Sequence, residues 1–419
     1  QRMGSIHAAQ TNDITCIQVR EGAIAAGVLN FDGLLARHRG KELPEVVIDS
    51  DADASIMYTS GSTGEPKGAV ATHRNVLSAI MSWALLGTAA KMELGTVDVE
   101  PEHTPAALLT VPLFHVTGCN SMFLLSVLMG RKIVMMHKWR VDDALDLIEK
   151  EKITYFNGVP TMSRELQVAA KDTERDISTL EEIFGGGAAR PPQHVKELKE
   201  TFPEANFGVG YGLTETSGIA TVNANARYSE RPASAGKVTP AVTELKVIAP
   251  DGSEQPVNES GEVCIKSSAN VHCYWNKPEA TAAAFNDGWF HTGDVGYLDE
   301  DGYLFIVDRS KDIIIRGGEN ISCIEVEAAL YEHDAVAEAV VFGVPDERLG
   351  ELVFAVVVAR KNEELDAEQL KSFATERIAA FKVPEHISVI HKSLPRTGTG
   401  KIFKRQIRDV VVKNFTSAA

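Results

Sequence analysis

In YTSGSTGEPKGAVATHRN, from Tyr58 to Asn75, three glycines, two serines, three threonines and a lysine follow an apolar run. Gly61 and Gly64 let backbone N–H groups turn toward one anion. Thr59, Ser60, Ser62 and Thr63 add hydroxyl donors, and Lys67 adds positive charge. That composition suits a phosphate, although a Gly/Ser/Thr loop taken alone also reads as a solvent turn. The common nucleotide loop needs Gly-Lys followed by Ser or Thr. Here Lys67 stands between Pro66 and Gly68, which disfavours a P-loop hydrolase. Near the other end, Lys392–Lys413 holds seven basic residues against one acidic. A basic end on an acidic chain suits an anionic ligand, with a solvated helix face as the alternative.

Strands and helices alternate through much of the first 210 residues. ASIMYTS reads as a buried strand entering the glycine loop, and Thr72 as the cap of the helix after it. AALLTVPL and RKIVMM read as buried strands. In VDDALDLIEKE, Val141, Ala144, Leu145 and Ile148 share one helical face. ITYFNGVP and EEIFGGGAA read as strands running into loops. This alternation predicts α/β layers with ligands at the strand ends. From about residue 236, short alternating runs separated by Asp251-Gly252, Asp287-Gly288 and Asp301-Gly302 predict a β-rich subdomain extending to 307. Beyond Asp308, KDIIIRGGENISCIEVEAAL reads as strand, glycine turn and helix. AVAEAVVFGV and ELVFAVVVA read as paired strands, with a helix around Ala367–Ala379.

The 419 residues suffice for two or three domains. A net charge of −16 argues against nucleic acid as the main partner. Cys16, Cys119, Cys264, Cys273 and Cys323 are odd in number and lack a CxxC pair. They read as reduced thiols of a cytoplasmic protein, not as a disulfide frame or zinc site. The longest apolar stretch, MFLLSVLMG, is too short to span a bilayer, and no signal peptide is visible.

The full opening string closely resembles the signature of the adenylate-forming superfamily: acyl-CoA synthetases, peptide-synthetase adenylation domains and firefly-type luciferases. Four further segments resemble its other motifs, in order: IFGGGAARP (Ile183–Pro191), GYGLTETSG (Gly210–Gly218), GWFHTGDVGYLDEDGYLFIVDRSKD (Gly288–Asp312) and LPRTGTGKIFKR (Leu394–Arg405). The match runs from about 54 to 408. It implies a large α/β domain (1–307), a hinge (308–311) and a small mobile α+β domain (312–419). Relatives carry well over a hundred residues before the opening loop and this chain has 57, so part of the first subdomain is expected to be absent.

The same resemblance implies ATP, Mg²⁺ and coenzyme A as ligands. Thr59, Ser60, Gly61, Ser62, Thr63, Gly64 and Lys67 would follow the outgoing β- and γ-phosphates. Gly187 and Ala188 would lie beside adenine and the acyl group, and Tyr211, between Gly210 and Gly212, would pack on adenine. Thr214 would bind the α-phosphate and Glu215 the Mg²⁺, a hard carboxylate suiting that ion. Asp294 would accept both ribose hydroxyls, and Arg309 would reach ribose and phosphate. Lys401 would catalyse adenylation. The C-terminal domain would turn about Lys311, bringing Gly317, Gly318 and Glu319 to the pantetheine arm.

His115, in VPLFHVTGCNSMF, with Phe156, Gly158 and Ala188, would line the acyl pocket. Phe114-His115 stands where amino-acid-activating relatives place an aspartate, which implies a fatty or aryl acid without an α-amine. Gly158, Ala188 and Gly210 would permit an extended tunnel. Val209 stands where many relatives carry an amide or acid, so adenine would be read by backbone groups. The resemblance thus implies an acyl-CoA synthetase. The alternatives are an adenylation module charging a carrier thiol, a luciferase-like enzyme, and a truncated, inactive nucleotide-binding fragment. CoA against a carrier partner, light emission, and ATP binding without pyrophosphate exchange would discriminate them.

Overall fold

The computed structural model describes residues 16–19, 28–59, 66–239, 242–361 and 363–416. The chain forms two compact units, 1–49 and 50–419. In the first, parallel strands Cys16–Gln18 and Val28–Asn30 precede a helix, Phe31–His38. The Asn30 side chain caps that helix by accepting from the Gly33 N–H.

The second unit opens with β1 (Asp53–Thr59) and β2 (Lys67–Thr72), an antiparallel pair in which Thr59 faces Lys67. Residues 60–65 between them, and so Ser60, Gly61, Ser62, Thr63 and Gly64, lie outside the described residues. β12 (Cys273–Tyr274) pairs with β2 on its other side, leaving β1 at the edge. That edge position corrects one expectation: β1 is not a buried strand, and Ile56 and Tyr58 are exposed. Helix α1 (His73–Glu93) starts at the expected cap. Thr72 accepts from the Asn75 N–H while the Asn75 side chain accepts from the Thr72 N–H.

The main sheet contains β3 (Ala106–Leu109), β4 (Lys132–Met135), β5 (Tyr155–Gly158), β6 (Glu182–Gly186), β7 (Asn206–Tyr211), β8 (Thr221–Ala224) and β9 (Lys237–Val238). Their order is 9-8-7-6-5-3-4. The strands from β4 to β7 are parallel, and β8 and β9 are antiparallel additions. Alternate residues face opposite layers. Leu108, Phe156, Ile183 and Phe207 enter the main core against helices α2 (Val141–Glu151), α3 (Pro160–Ala170) and α4 (Pro192–Thr201). Leu109, Tyr155 and Phe184 face the other way, toward Met122 and Phe123 of a π-helical segment, Thr117–Leu124.

The β-rich subdomain follows, all antiparallel: β10 (Thr243–Ile248), β11 (Gly261–Ser267), β13 (Phe285–Asn286), β14 (Trp289–Leu298) and β15 (Leu304–Arg309). Gly252, Gly288 and Gly302 take positive φ at the expected Asp-Gly turns. The final sheet is built from β16 (Ile314–Arg316), β17 (Glu319–Ile321), β18 (Val336–Asp346), β19 (Gly350–Ala359) and β20 (His386–Ile390). Helices α5 (Cys323–Tyr331) and α6 (Ala367–Thr375) contribute Val326, Leu330 and Leu370 to one of its cores. Helix α7 (Lys404–Thr416) adds Ile407 to the other. Among the described residues, no helix is long and apolar enough to cross a membrane.

Candidate active site

The parallel strands β6 and β7 end side by side, Gly186 in register with Gly210. The next residue, Gly187, has φ +77°. A Cβ added there would lie 2.8 Å from Cε and 2.9 Å from Nζ of Lys401. The lysine tip therefore rests on bare backbone that any larger residue would obstruct. Its loop is fixed internally: the Thr397 N–H donates to the Lys401 carbonyl (2.8 Å) and the Gly400 N–H to the Thr397 carbonyl (3.0 Å). It is also anchored to β18, where Glu338 accepts from the Leu394 N–H and pairs with Arg396. On the other side Gly400 packs on Val159 and Met162, and Gly398 on Phe114.

Lys401 is half-buried among charges. Burial chiefly, and Arg309 secondarily, hold its pKa down to about 8, while Asp294 opposes them. Asp294 is 3% exposed. It accepts from the Tyr211 hydroxyl at 2.7 Å through one oxygen and pairs with Arg309 Nε at 3.1 Å through the other. Burial raises its pKa, with Arg309 and Tyr211 opposing. Arg309 faces Asp294 because β14 and β15 pair in that register. The part of β14 just before Asp294 is held by Glu262 on β11, which accepts from the Gly293 N–H at 3.1 Å and contacts His291 Nδ1 at 3.1 Å.

Thr214 and Glu215 form a short 3₁₀ turn after β7. The Thr216 hydroxyl caps it, accepting from the Leu213 N–H and donating to the Leu213 carbonyl. Glu215 is buried and accepts from the Tyr274 hydroxyl at 2.8 Å. Lys67 Nζ lies 4.9 Å from the centre of the same ring. Tyr274 thus joins the lysine of the β1–β2 hairpin to the carboxylate expected to hold Mg²⁺. The donor set fits that ion: a buried hard oxygen donor, oriented by a phenol, in a type of site where phosphates and water complete the shell.

His115 precedes the π-helical segment, a geometry common at functional sites. Its Nδ1 accepts from the Thr117 N–H, so the neutral ring carries its proton on Nε2. Burial, reinforced by the Lys401 charge, lowers its pKa to about 4.

The structure thus brings together Lys401, Gly187, Asp294, Arg309, Tyr211 and His115, with Gly210, Gly212 and Ala188 at the same strand ends. Phe156 does not join them. It is fully buried in the main core, its ring 5.7 Å from Trp139 and close against Gly158. The extended tunnel also needs correction, because the space beside Gly158 holds Phe156 and Met162, and that beside Gly210 holds Trp83. Val209 faces the main core. Lys311 lies in the turn between β15 and β16. Gly317 and Gly318, with φ +60° and +91°, form the β16–β17 hairpin that leads into Glu319. Among the described residues, none of the contacts given above for Lys401 involves that hairpin. Sequence reasoning missed Tyr274, Glu262, Glu338 and Trp83, each tied to the site by long-range pairing with no local spacing to signal it.

Residues 4–275 match the family of AMP-binding enzymes, and residues 325–401 match the AMP-binding enzyme C-terminal domain. A long-chain-fatty-acid–CoA ligase of Bacillus subtilis is 37% identical over 93% of this chain and 67% of its own length. A feruloyl-CoA synthase of Amycolatopsis is 36% identical over 88% of this chain and 72% of its own. Among solved structures, O-succinylbenzoate coenzyme A synthetase of Bacillus subtilis, in complex with ATP and magnesium, superimposes with TM-score 0.73 at 32% identity. The match covers 91% of this chain and 75% of that one. ATP-bound MatB from Rhodopseudomonas palustris gives TM-score 0.80 at 28% identity, over 93% and 76%.

Proposed function

Because this chain belongs to the family of AMP-binding enzymes, we propose that it is an AMP-forming acid–thiol ligase. It activates a carboxylic acid with ATP and passes the acyl group to coenzyme A. A carboxylate is a poor acyl donor because its leaving group is oxide. When its oxygen attacks the α-phosphorus of ATP, the bond to the β-phosphate breaks and pyrophosphate leaves. The acid becomes an acyl-adenylate, from which AMP departs readily when the thiol sulfur attacks.

The first step brings two anions together, and the position of Lys401 carries the reading. Its ammonium reaches the strand-end glycines from another domain, beside Asp294 and Arg309. It offsets the charge of both anions without reorganising, the most effective form of electrostatic catalysis. Tyr211 and Arg309 fix the Asp294 carboxylate, whose remaining lone pairs suit the two ribose hydroxyls. Neutral His115 can line the acyl site without adding a competing cation. Magnesium bound with ATP would neutralise charge on the departing pyrophosphate. Glu215, oriented by Tyr274, is the carboxylate for it, and Lys67 supports the same phosphates.

For the thiol step Lys401 must withdraw. Lys311 is the proposed pivot, and the Gly317–Gly318 turn, open at Gly318 and met by Leu349 at Gly317, is the proposed opening for the pantetheine arm. Cys119, Cys264, Cys273 and Cys323 are free thiols, in keeping with a cytoplasmic enzyme. A screen of pyrophosphate release over carboxylates of differing length and aromaticity, with and without coenzyme A, tests the proposal. Acid-dependent release and CoA-dependent loss of the adenylate are expected. Release that ignores the acid, or an adenylate passed only to a carrier protein, contradicts it.

A further inference from the structure

Gly210 has no side chain, and Trp83 of α1 takes the room this leaves. A Cβ built on Gly210 lies 2.6 Å from Cη2 and 3.2 Å from Cζ2 of the indole. The ring also packs against a small cluster of Ala79, Ile219 and Ala269. Three observations put it on the acyl side of the site. Gly210 is in register with Gly186, one residue before the Gly187 on which the Lys401 tip rests. Helix α1 packs on the π-helical segment that begins two residues after His115. Gly218, next to Ile219, packs on Val116 and lies near Ser121 of the same segment. Helix α1, the π-helical segment and the 218–219 turn thus form one wall beside the strand ends that meet Lys401, and Trp83 stands in it.

The indole Nε1 is fully buried and has no hydrogen-bond partner among the described residues. Buried indole N–H groups in native proteins nearly always find an acceptor, because leaving one dry and unpaired is costly. The described residues provide none here, and the ring that bears the group fills the room left by Gly210 at the strand end.

We propose that Trp83 is the specificity-determining residue of the acyl site. It closes the site to long chains, and its N–H receives an oxygen acceptor at the far end of a compact acid of aromatic size. This inference rests on the acid–thiol ligase reading above. It also separates two activities that the relatives' names leave side by side, long-chain fatty acid and feruloyl activation.

The test compares wild type, Trp83→Ala and Trp83→Phe with three acids: cinnamate, 4-hydroxycinnamate and hexadecanoate. Pyrophosphate release gives kcat/KM, and calorimetry with AMP present gives affinity for the same acids. Wild type should prefer 4-hydroxycinnamate to cinnamate by about tenfold, the scale of one hydrogen bond, and reject hexadecanoate. Trp83→Ala should raise kcat/KM for hexadecanoate by roughly 10–200-fold, the range a hydrophobic pocket commands. Trp83→Phe should equalise the two cinnamates while still rejecting hexadecanoate. If the alanine variant does not fold, the phenylalanine variant decides alone, and a preference for the hydroxylated acid that survives in it overturns the proposal. Hexadecanoate used by wild type as well as the cinnamates also overturns it, as do ratios unmoved by either substitution. Selective binding that shifts with Trp83 but gives no pyrophosphate release would overturn the ligase reading and leave this assignment standing. Release with unmoved ratios would do the reverse.

Discussion

The two sides of the site are made by opposite means. The main sheet supplies room: β6 and β7 end in Gly186, Gly187, Gly210 and Gly212, whose missing side chains let other groups approach the backbone. The C-terminal region supplies charge, with Lys401 on a loop held by Thr397, Arg396 and Glu338. The room belongs to the ladder of a buried sheet, whereas the charge sits on a loop bonded to β18 of the C-terminal region. In the two-step reaction proposed above, that division lets the lysine withdraw while the cradle stays.

The strongest way to break the comparison is to fill the room without touching the charge. Gly187→Val puts atoms where the lysine tip now lies and strains a positive-φ position. Adenylation should fall by at least ~10²-fold, the cost of misplacing a catalytic group by about an ångström. A pyrophosphate-exchange rate within a few-fold of wild type would show that Lys401 does not act from Gly187. On the phosphate side, Tyr274→Phe removes the hydroxyl that orients Glu215. The Mg²⁺ concentration for half-maximal activity should rise by roughly 10-fold or more, as for other outer-shell partners of a metal ligand. A magnesium titration that does not move would leave Tyr274 a packing residue.

The C-terminal region can be divided in the same way. Gly318→Leu adds a side chain at a turn with nothing within 4 Å of its Cβ direction. It should leave adenylation intact and slow thioester formation on the order of tenfold, the effect of disturbing approach rather than chemistry. Equal loss of both half-reactions would contradict the division.

The smallest effect sharpens the charge side. With a pKa of about 8, free Lys401 is an ammonium below that pH and loses its charge above it. For adenylation, kcat/KM should be level below about pH 8 and fall about tenfold per pH unit well above it. In Lys401→Arg the guanidinium stays charged, so that limb should vanish even though the absolute rate drops. A limb that persists in the arginine variant would assign the ionisation elsewhere. His115, with a pKa of about 4, adds no limb between pH 5 and 8.

Legibility in the sequence follows the same division. Gly187, Gly210, Asp294, Arg309 and Lys401 stand in strings whose order and composition could be read, because each string folds as one local turn or strand end. Asp-Gly turns and the Thr72 cap were legible for the same reason. What could not be read depends on which distant element arrives opposite. The Tyr274–Glu215 bond spans 59 residues and the Glu262–Gly293 bond 31. Gly210 read as open space because nothing near it in sequence shows that α1 lays Trp83 there. Phe156 followed the strand's alternation into the core instead of the site. β1 was misjudged because apolar content marks a strand without saying whether anything covers it.

In the proposed reaction one cation, delivered by the C-terminal region to a glycine cradle, performs adenylation. ATP–pyrophosphate exchange by Lys401→Ala, with the acid in excess, measures it most directly. Exchange should fall by at least ~10²-fold, the scale of losing one preorganised electrostatic group, while ATP affinity measured by calorimetry is retained. Exchange at the wild-type rate in that variant would show that adenylation does not depend on the Lys401 ammonium.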